Sequence, residues 1–167
     1  MKKIYIIAGI IVALIVVLAA ILYIYKKNTP EAPQPVPAQI PSLPSSAELK
    51  EQGKAAISSG QENIIINDPY KDALKIVSGN AEIKNTSSYE IVYLGSLKSF
   101  VISLYGENLN DSRNKAEQAF LESLGITKDE ACKLDVTLAV APEASKSAAG
   151  KNYGLSFCPN GKPFPPQ

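Results

Sequence analysis

An apolar segment near the amino terminus is the feature that most restricts how this chain folds. Between Ile4 and Tyr25 there is no charged or strongly polar residue. A helix rises about 1.5 Å per residue, so roughly 20 apolar residues cross a hydrocarbon core about 30 Å thick. Lysines flank the segment on both sides, and tyrosines stand near its ends, where aromatic rings favour the headgroup region. The segment predicts a single membrane-spanning helix, with residues 1–27 as the anchor.

A cleaved signal peptide is the alternative interpretation of this segment. Its apolar core usually has about 7–15 residues and ends at a small-residue cleavage site. Here the run is longer, and Ala19-Ala20 is followed by further apolar residues, which favours an uncleaved anchor. Gly9 and Ala13 have the spacing of small residues in self-associating helices, which gives the expectation of a weak homo-oligomer. Small residues are nevertheless common in any spanning helix.

Residues 28–46 form a proline-rich segment between the anchor and the rest of the chain. Closely spaced prolines favour an extended polyproline II path of about 3.1 Å per residue. The segment therefore predicts a spacer that holds the following residues away from the bilayer. Pairs of prolines with PxxP spacing also allow a docking site for a partner. The prolines are Pro30, Pro33, Pro35, Pro37, Pro41 and Pro44.

Residues 47–167 have the length of one domain with its own core. Lysines stand on both sides of the apolar segment, so the flanks do not fix the orientation. The chain has two cysteines, Cys132 and Cys158, and such a pair in a small exported domain predicts a disulfide. Two free thiols in a cytosolic domain are the alternative. The disulfide interpretation places the amino terminus in the cytoplasm and the domain outside it.

The domain is predicted to be α+β, with a small, mainly antiparallel sheet and one packed helix. Two strand-forming runs, Tyr89–Leu94 and Ser99–Tyr105, have hairpin spacing. A helix follows, capped by Asp111 or Ser112 and ended by Gly125. A strand over 134–140 and a last strand over Tyr153–Phe157 complete a β-β-α-β-β order.

Details of the helices follow from capping patterns and periodicity. Ser45 and Glu48 have capping-box spacing, which predicts a short helix up to about Ser59. Thr127 and Glu130 have the same spacing and predict a helical turn ending near Cys132. In the longer helix the apolar stripe is buried, and we expect the charged residues to face water. These charged residues are Arg113, Lys115, Glu117 and Glu122.

The residues needed for most catalytic chemistry are missing or poorly arranged. The chain has no histidine, so the usual general base and the commonest metal ligand are both absent. Ser156 lies in a segment similar to a nucleophile elbow, but Cys158 replaces the second glycine of that motif. Glu130 is better explained as a helix-cap residue and Asp129 as a favourable charge in the first helical turn. The domain is slightly acidic, which argues against nucleic acid. We expect no metal, no cofactor and no enzymatic activity.

Several motifs between residues 68 and 160 have a distinctive spacing. They are Tyr89–Tyr93, Phe100–Leu104, Arg113, Ala116-Glu117, Leu121–Ile126, Ala131-Cys132 and Gly154–Cys158. This spacing resembles that of a group of small membrane-anchored bacterial proteins of uncharacterised function, and the likeness implies an anchored envelope domain, with no catalytic motif to transfer. The layout also resembles TonB-type energy transducers, but this chain lacks the histidine of their spanning helix.

These observations lead to one functional expectation. The chain is expected to be a non-catalytic, single-pass protein of the cell membrane that presents its domain for protein or cell-wall binding. A membrane-anchored enzyme using carboxylates or Ser156 and a TonB-like energy-coupling protein are the alternatives. The binding surface is not fixed by the sequence. Aromatic residues that would line it are Tyr70, Tyr89, Tyr93, Tyr105 and Phe164.

Overall fold

A computed structural model describes residues 44–59 and 62–166, which form an α+β domain. The predicted spanning helix Ile4–Tyr25, with Gly9 and Ala13, lies outside the described residues, as does the proline-rich segment up to residue 43. Within the described ranges, no helix is both long and apolar enough to cross a bilayer.

The described chain contains three helices and seven strands. They are α1 (Ser46–Glu51), β1 (Lys54–Ser59), β2 (Glu62–Asn67), β3 (Lys75–Val77), β4 (Asn80–Asn85), β5 (Tyr89–Leu94), β6 (Ser99–Leu104), α2 (Leu109–Leu124), α3 (Lys128–Ala131) and β7 (Val136–Val140). Strands β1 and β2 form an antiparallel pair. The other five strands form one sheet in the order β3-β4-β5-β6-β7.

The five-stranded sheet is antiparallel from β3 to β6, and β7 joins β6 in parallel. A parallel neighbour requires a crossover connection, which α2 and α3 supply between β6 and β7. One face of the sheet carries the core, where Phe100 and Phe120 of α2 meet edge to face with ring centroids 5.2 Å apart. Alternate residues of the same strands lie on the other face and are only partly covered.

The predicted hairpin and the predicted long helix are confirmed, and the cap of that helix differs from the prediction. Strands β5 and β6 pair from Tyr89 with Leu104 to Leu94 with Ser99. Helix α2 ends at Gly125, whose φ of 64° is the left-handed conformation expected of a stop. Its N-cap is Asn108, whose side chain accepts a hydrogen bond from the Asp111 backbone N–H. Neither Asp111 nor Ser112 is the cap.

The prediction of a helix from residue 46 to about Ser59 was wrong beyond Glu51. The capping box of Ser45 and Glu48 is present, but Gly53 takes a φ of 67° and ends the helical path. Residues 54–59 then form β1, because pairing with β2 satisfies their backbone groups and buries Ile57.

The predicted last strand over Tyr153–Phe157 is also absent. Gly154 has a φ of 60°, which is incompatible with a continuous strand. The Tyr153 N–H donates to the Leu138 carbonyl of β7, while the Leu138 N–H donates to the side chain of Asn152. The Asn152 side chain therefore accepts the β7 hydrogen bond that a backbone carbonyl would accept if residues 153–157 formed a strand. The observed order differs from β-β-α-β-β at both ends, because strands β1 to β4 precede the predicted hairpin and no strand of the described chain follows β7.

The disulfide between Cys132 and Cys158 is present, with the two Cα atoms 5.4 Å apart. Cys132 is the C-cap of α3, whose capping box from Thr127 to Glu130 is formed as predicted. Cys158 lies in the turn that follows Leu155. The disulfide thus attaches the irregular carboxyl-terminal segment to the crossover between β6 and β7.

Candidate functional site

Exposed apolar side chains are concentrated at one end of the five-stranded sheet. Six large apolar side chains of the described residues are exposed, and five of them lie there. Isolated exposed apolar residues are ordinary, whereas a cluster marks an interaction site. The five residues are called the edge patch: Tyr70 (38% exposed), Leu74 (63%), Ile76 (55%), Val77 (52%) and Leu97 (67%).

Leu74, Ile76 and Val77 of the edge patch lie on or directly before β3, the outermost strand of the sheet, whereas Leu97 lies in the β5–β6 turn. Ile76 pairs with Ala81, and the row continues through Tyr93 and Phe100 on the core face. Every member of this row except Ile76 is buried. Lys75 and Val77 point to the opposite face, because side chains alternate along a strand. Apolar surface therefore wraps both sides of the sheet edge.

The two edge strands of this sheet, β3 and β7, differ in whether their outer backbone groups have hydrogen-bond partners. At the β7 edge, Asn152 and Tyr153 bond both backbone groups of Leu138. No strand of the described chain lies outside β3. An edge strand presents a row of backbone donors and acceptors on its outer side, and such a row is a template for pairing with another chain. β3 is the edge that offers this template.

Two tight turns adjoin the edge patch. The β3–β4 turn contains Ser78 and Gly79, with φ values of 50° and 80°, and the β5–β6 turn contains Lys98, with a φ of 53°. Ser78 and Lys98 are the non-glycine residues with positive φ in the described chain. Such conformations cost of order 1–3 kcal/mol and cluster at functional sites. Both lie beside the exposed apolar residues.

Tyr70 attaches the patch to the core. Its hydroxyl donates to the Gly79 carbonyl at 2.8 Å, and its ring meets that of Tyr93 at 5.6 Å. Tyr93 in turn lies 5.0 Å from Phe100, so an aromatic chain runs from the surface inwards. Burial raises the pKa of Tyr93, and the nearby Tyr70 adds to the effect. A Cβ at Gly95 would clash with the backbone carbonyl oxygen of Gly79 and with the Tyr70 hydroxyl, so glycine is required there.

A second cluster lies on the far side of the core, where α2 meets the carboxyl-terminal segment. The Arg113 Nε donates to Glu117 Oε1 at 3.0 Å, and both side chains are buried. The guanidinium also donates to the carbonyls of Lys162 (2.8 Å), Tyr153 (3.3 Å) and Gly154 (2.7 Å). The expectation that Arg113 and Glu117 face water was wrong, because this segment covers them.

Ser156 belongs to the same cluster. Its hydroxyl donates to Glu117 Oε2 and its backbone N–H donates to Glu117 Oε1, both at 2.5 Å. The carboxylate thus accepts hydrogen bonds from Ser156 and from Arg113, so its lone pairs are engaged in fixing the segment. A cleft of about 350 Å³ borders the cluster, lined by Asn114, Glu117, Gln118, Leu121, Lys128, Ser156 and Phe157. These hydrogen bonds of Arg113, Glu117 and Ser156 hold the carboxyl-terminal segment against α2, and the three residues are called the Arg113 latch.

The other residues singled out in the sequence have local roles. Glu130 accepts from the Thr127 backbone and hydroxyl, and these hydrogen bonds lower its pKa, the backbone bond most. The Phe164 ring packs 4.7 Å from Tyr153 and lies over the Arg113 guanidinium at 5.1 Å. In residues 44–59 and 62–166, no group of three His, Cys, Asp or Glu side chains is placed to hold a metal ion.

The candidate contact tyrosines separate into different environments. Tyr70 belongs to the edge patch, Tyr93 is buried and Tyr89 is half-buried. Tyr105 is exposed at the far end of β6, where its hydroxyl donates to Glu90 Oε2 at 2.9 Å. Burial and this hydrogen bond raise the pKa of Tyr105.

The run 74–77, which carries most of the patch, was not recognised as a strand, although the Ser78-Gly79 turn after it is a hairpin signal.

No family model matches the chain, and no curated protein or solved structure matches it either.

Proposed function

We propose that this chain is a non-catalytic, single-pass membrane protein whose domain binds another protein through the edge patch, outside the cytoplasm. The observation that carries this proposal is the concentration of exposed apolar side chains around the open β3 edge. Apolar surface gathered in one place stabilises association when a partner removes it from water.

The anchor, the spacer and the disulfide support the location. The apolar segment from Ile4 to Tyr25 has the length of a spanning helix, and the prolines that follow it favour an extended spacer. Disulfides persist mainly in oxidising compartments, so the Cys132–Cys158 bond favours an extracytoplasmic domain. The proposed arrangement places the amino terminus in the cytoplasm.

A protein fits the patch better than a glycan or a lipid surface does. Glycan recognition relies on hydrogen-bonding side chains, whereas Leu74, Ile76, Val77 and Leu97 offer none. Insertion into lipid would leave the outer backbone groups of β3 without partners, at a cost of several kcal/mol per group. A protein supplies both apolar side chains and backbone partners.

Site-specific photo-crosslinking in native membranes tests the proposed surface. A photoreactive residue at Leu97, the most exposed patch member, should yield a discrete crosslinked protein. The same residue at Asn114, which is exposed on α2, should not yield this product. Leu74→Lys should reduce the yield from position 97 at least tenfold, because a charge is then buried in the interface. The same product from both positions, or none from position 97, would contradict the proposal.

Protease treatment tests the orientation. A tag placed after Gln167 should be removed when protease is added to intact cells whose outer layers have been stripped. A tag before Met1 should survive until the membrane is opened. The opposite pattern would place the domain in the cytoplasm and refute this part of the proposal.

A further inference from the structure

This inference rests on the proposed binding surface and concerns the kind of segment that binds there. The relevant features are the open edge of β3 and its one charged residue, Lys75. We infer that the partner contributes one extended segment that pairs with β3 as a sixth strand. This segment places an apolar residue beside Ile76 on the core side of the sheet and an acidic residue beside Lys75 on the opposite side. The inference rests on the juxtaposition of an unpaired strand edge, an exposed core-side isoleucine and an unbridged lysine.

The apolar requirement follows from Ile76. It extends the buried row of Ala81, Tyr93 and Phe100 by one strand, yet it is 55% exposed. A sixth strand would place a side chain directly beside Ile76, at the spacing of cross-strand neighbours. An apolar residue at that position continues the row and removes Ile76 from water.

The acidic requirement follows from Lys75 on the opposite face. It is exposed, and the ion pairs of the described residues do not include it. Its cross-strand neighbour Glu82 accepts a hydrogen bond from the Asn85 side chain at 2.8 Å. The outer side of Lys75 is therefore open to a second carboxylate. Opposite charges in directly paired positions stabilise a sheet, and like charges destabilise it.

A second copy of this chain does not meet these requirements. If two β3 strands paired antiparallel within one continuous sheet, residues of the same face would stand opposite one another. Lys75 would then face Val77 or Lys75 of the second copy, and neither position supplies a carboxylate. Charge complementarity thus favours a different protein.

A charge-exchange experiment tests the inference on the full-length chain in mild detergent. The probes are two fluorescent six-residue peptides, one alternating valine with glutamate and one alternating valine with lysine. At low salt, the valine–glutamate peptide should bind at least fivefold more tightly by fluorescence anisotropy. Lys75→Glu should reverse this preference. Lys146→Glu, which changes an exposed lysine in the loop after β7, should leave the preference as it is.

Hydrogen exchange locates the bound peptide. Amides of residues 75–77 that point away from β4 should become protected when the preferred peptide binds, because an added strand pairs with the open backbone groups. The Leu74 N–H already donates to the Glu82 carbonyl of β4, so it is not one of these groups. The inference is overturned if neither peptide binds at 1 mM, or if Lys75→Glu leaves the preference unchanged.

Two other occupants of the edge have distinct signatures that would also overturn the inference. A second copy would appear as a concentration-dependent dimer in sedimentation that Leu74→Lys abolishes. A lipid surface would appear as binding to vesicles of phosphatidylcholine and phosphatidylglycerol that Leu74→Lys abolishes. If crosslinking from position 97 persists while the peptide test fails, the binding surface stands and only the strand-addition mode is rejected.

Discussion

Replacing both Cys132 and Cys158 by alanine is expected to lower the free energy of unfolding by about 3.5 kcal/mol. A covalent link between residues 26 apart reduces the freedom of the unfolded chain, and the chain-entropy relation gives this value at 25 °C. Urea unfolding of the full-length protein, followed by the fluorescence of its tyrosines, measures the change. The chain has eight tyrosines and no tryptophan, so this signal is available.

Reduction of the wild-type protein provides the matched comparison, because it removes the link without changing the side-chain volume. Reduced wild type and the double alanine variant should unfold at similar urea concentrations. A double variant as stable as the oxidised protein would contradict the staple role of the disulfide. It would mean that the carboxyl-terminal segment is held by the Arg113 latch alone.

The parts of the fold that sequence predicts correctly are those determined by local signals. Strands β5 and β6 follow from two strand-forming runs separated by a short polar loop. Helix α2 follows from a periodic apolar stripe and the left-handed Gly125. Its cap was misplaced by one turn, because Asn108, Asp111 and Ser112 are all good cap residues and only the structure shows which one bonds.

The parts that were missed depend on long-range contacts. Strand β1 has a pattern compatible with a helix, and pairing with β2 decides its state. Arg113 and Glu117 stand at positions that a single helix would expose to water. Arg113 is buried because it bonds the carbonyls of Tyr153, Gly154 and Lys162, which lie 40 or more positions later in the chain. Glu117 is buried with it and bonds Ser156, which lies 39 positions later. No local pattern carries that information.

The edge patch was unpredictable for a related reason. Leu74, Ile76 and Val77 are residue types typical of a buried strand, so apart from Lys75 this segment favours the core as its place. Its exposure results from the order of the sheet, which puts β3 at an edge and β5 and β6 in the centre. Strand order is not encoded in the composition of one strand, so a surface of this kind becomes visible only in the structure.

Substitution of Glu117 by leucine is expected to cost about 3–5 kcal/mol of unfolding free energy. Removing one partner of a buried ion pair leaves the other charge in the interior without compensation. Here the Arg113 guanidinium would keep its three carbonyl acceptors and lose its carboxylate. The Ser156 N–H and hydroxyl would also lose their acceptor. Urea unfolding of the full-length chain measures the loss.

The same helix supplies a control for this prediction. Asp111 and Lys115 form an ion pair with the same i, i+4 spacing, but both side chains are more than half exposed. Asp111→Leu should leave the unfolding midpoint almost unchanged, since exposed pairs are screened by water and salt. Equal losses for Glu117→Leu and Asp111→Leu would contradict the latch, because burial would then make no difference.

A double substitution separates the charge effect from the hydrogen bonds to the carboxyl-terminal segment. Arg113→Met combined with Glu117→Leu removes the uncompensated charge, so it should be less destabilising than Glu117→Leu alone. It should remain less stable than wild type, because the carbonyls of Lys162, Tyr153 and Gly154 lose their donor. Full recovery would show that these three hydrogen bonds contribute nothing to holding the segment. A loss equal to the sum of the two single substitutions would show that the buried pair is not coupled.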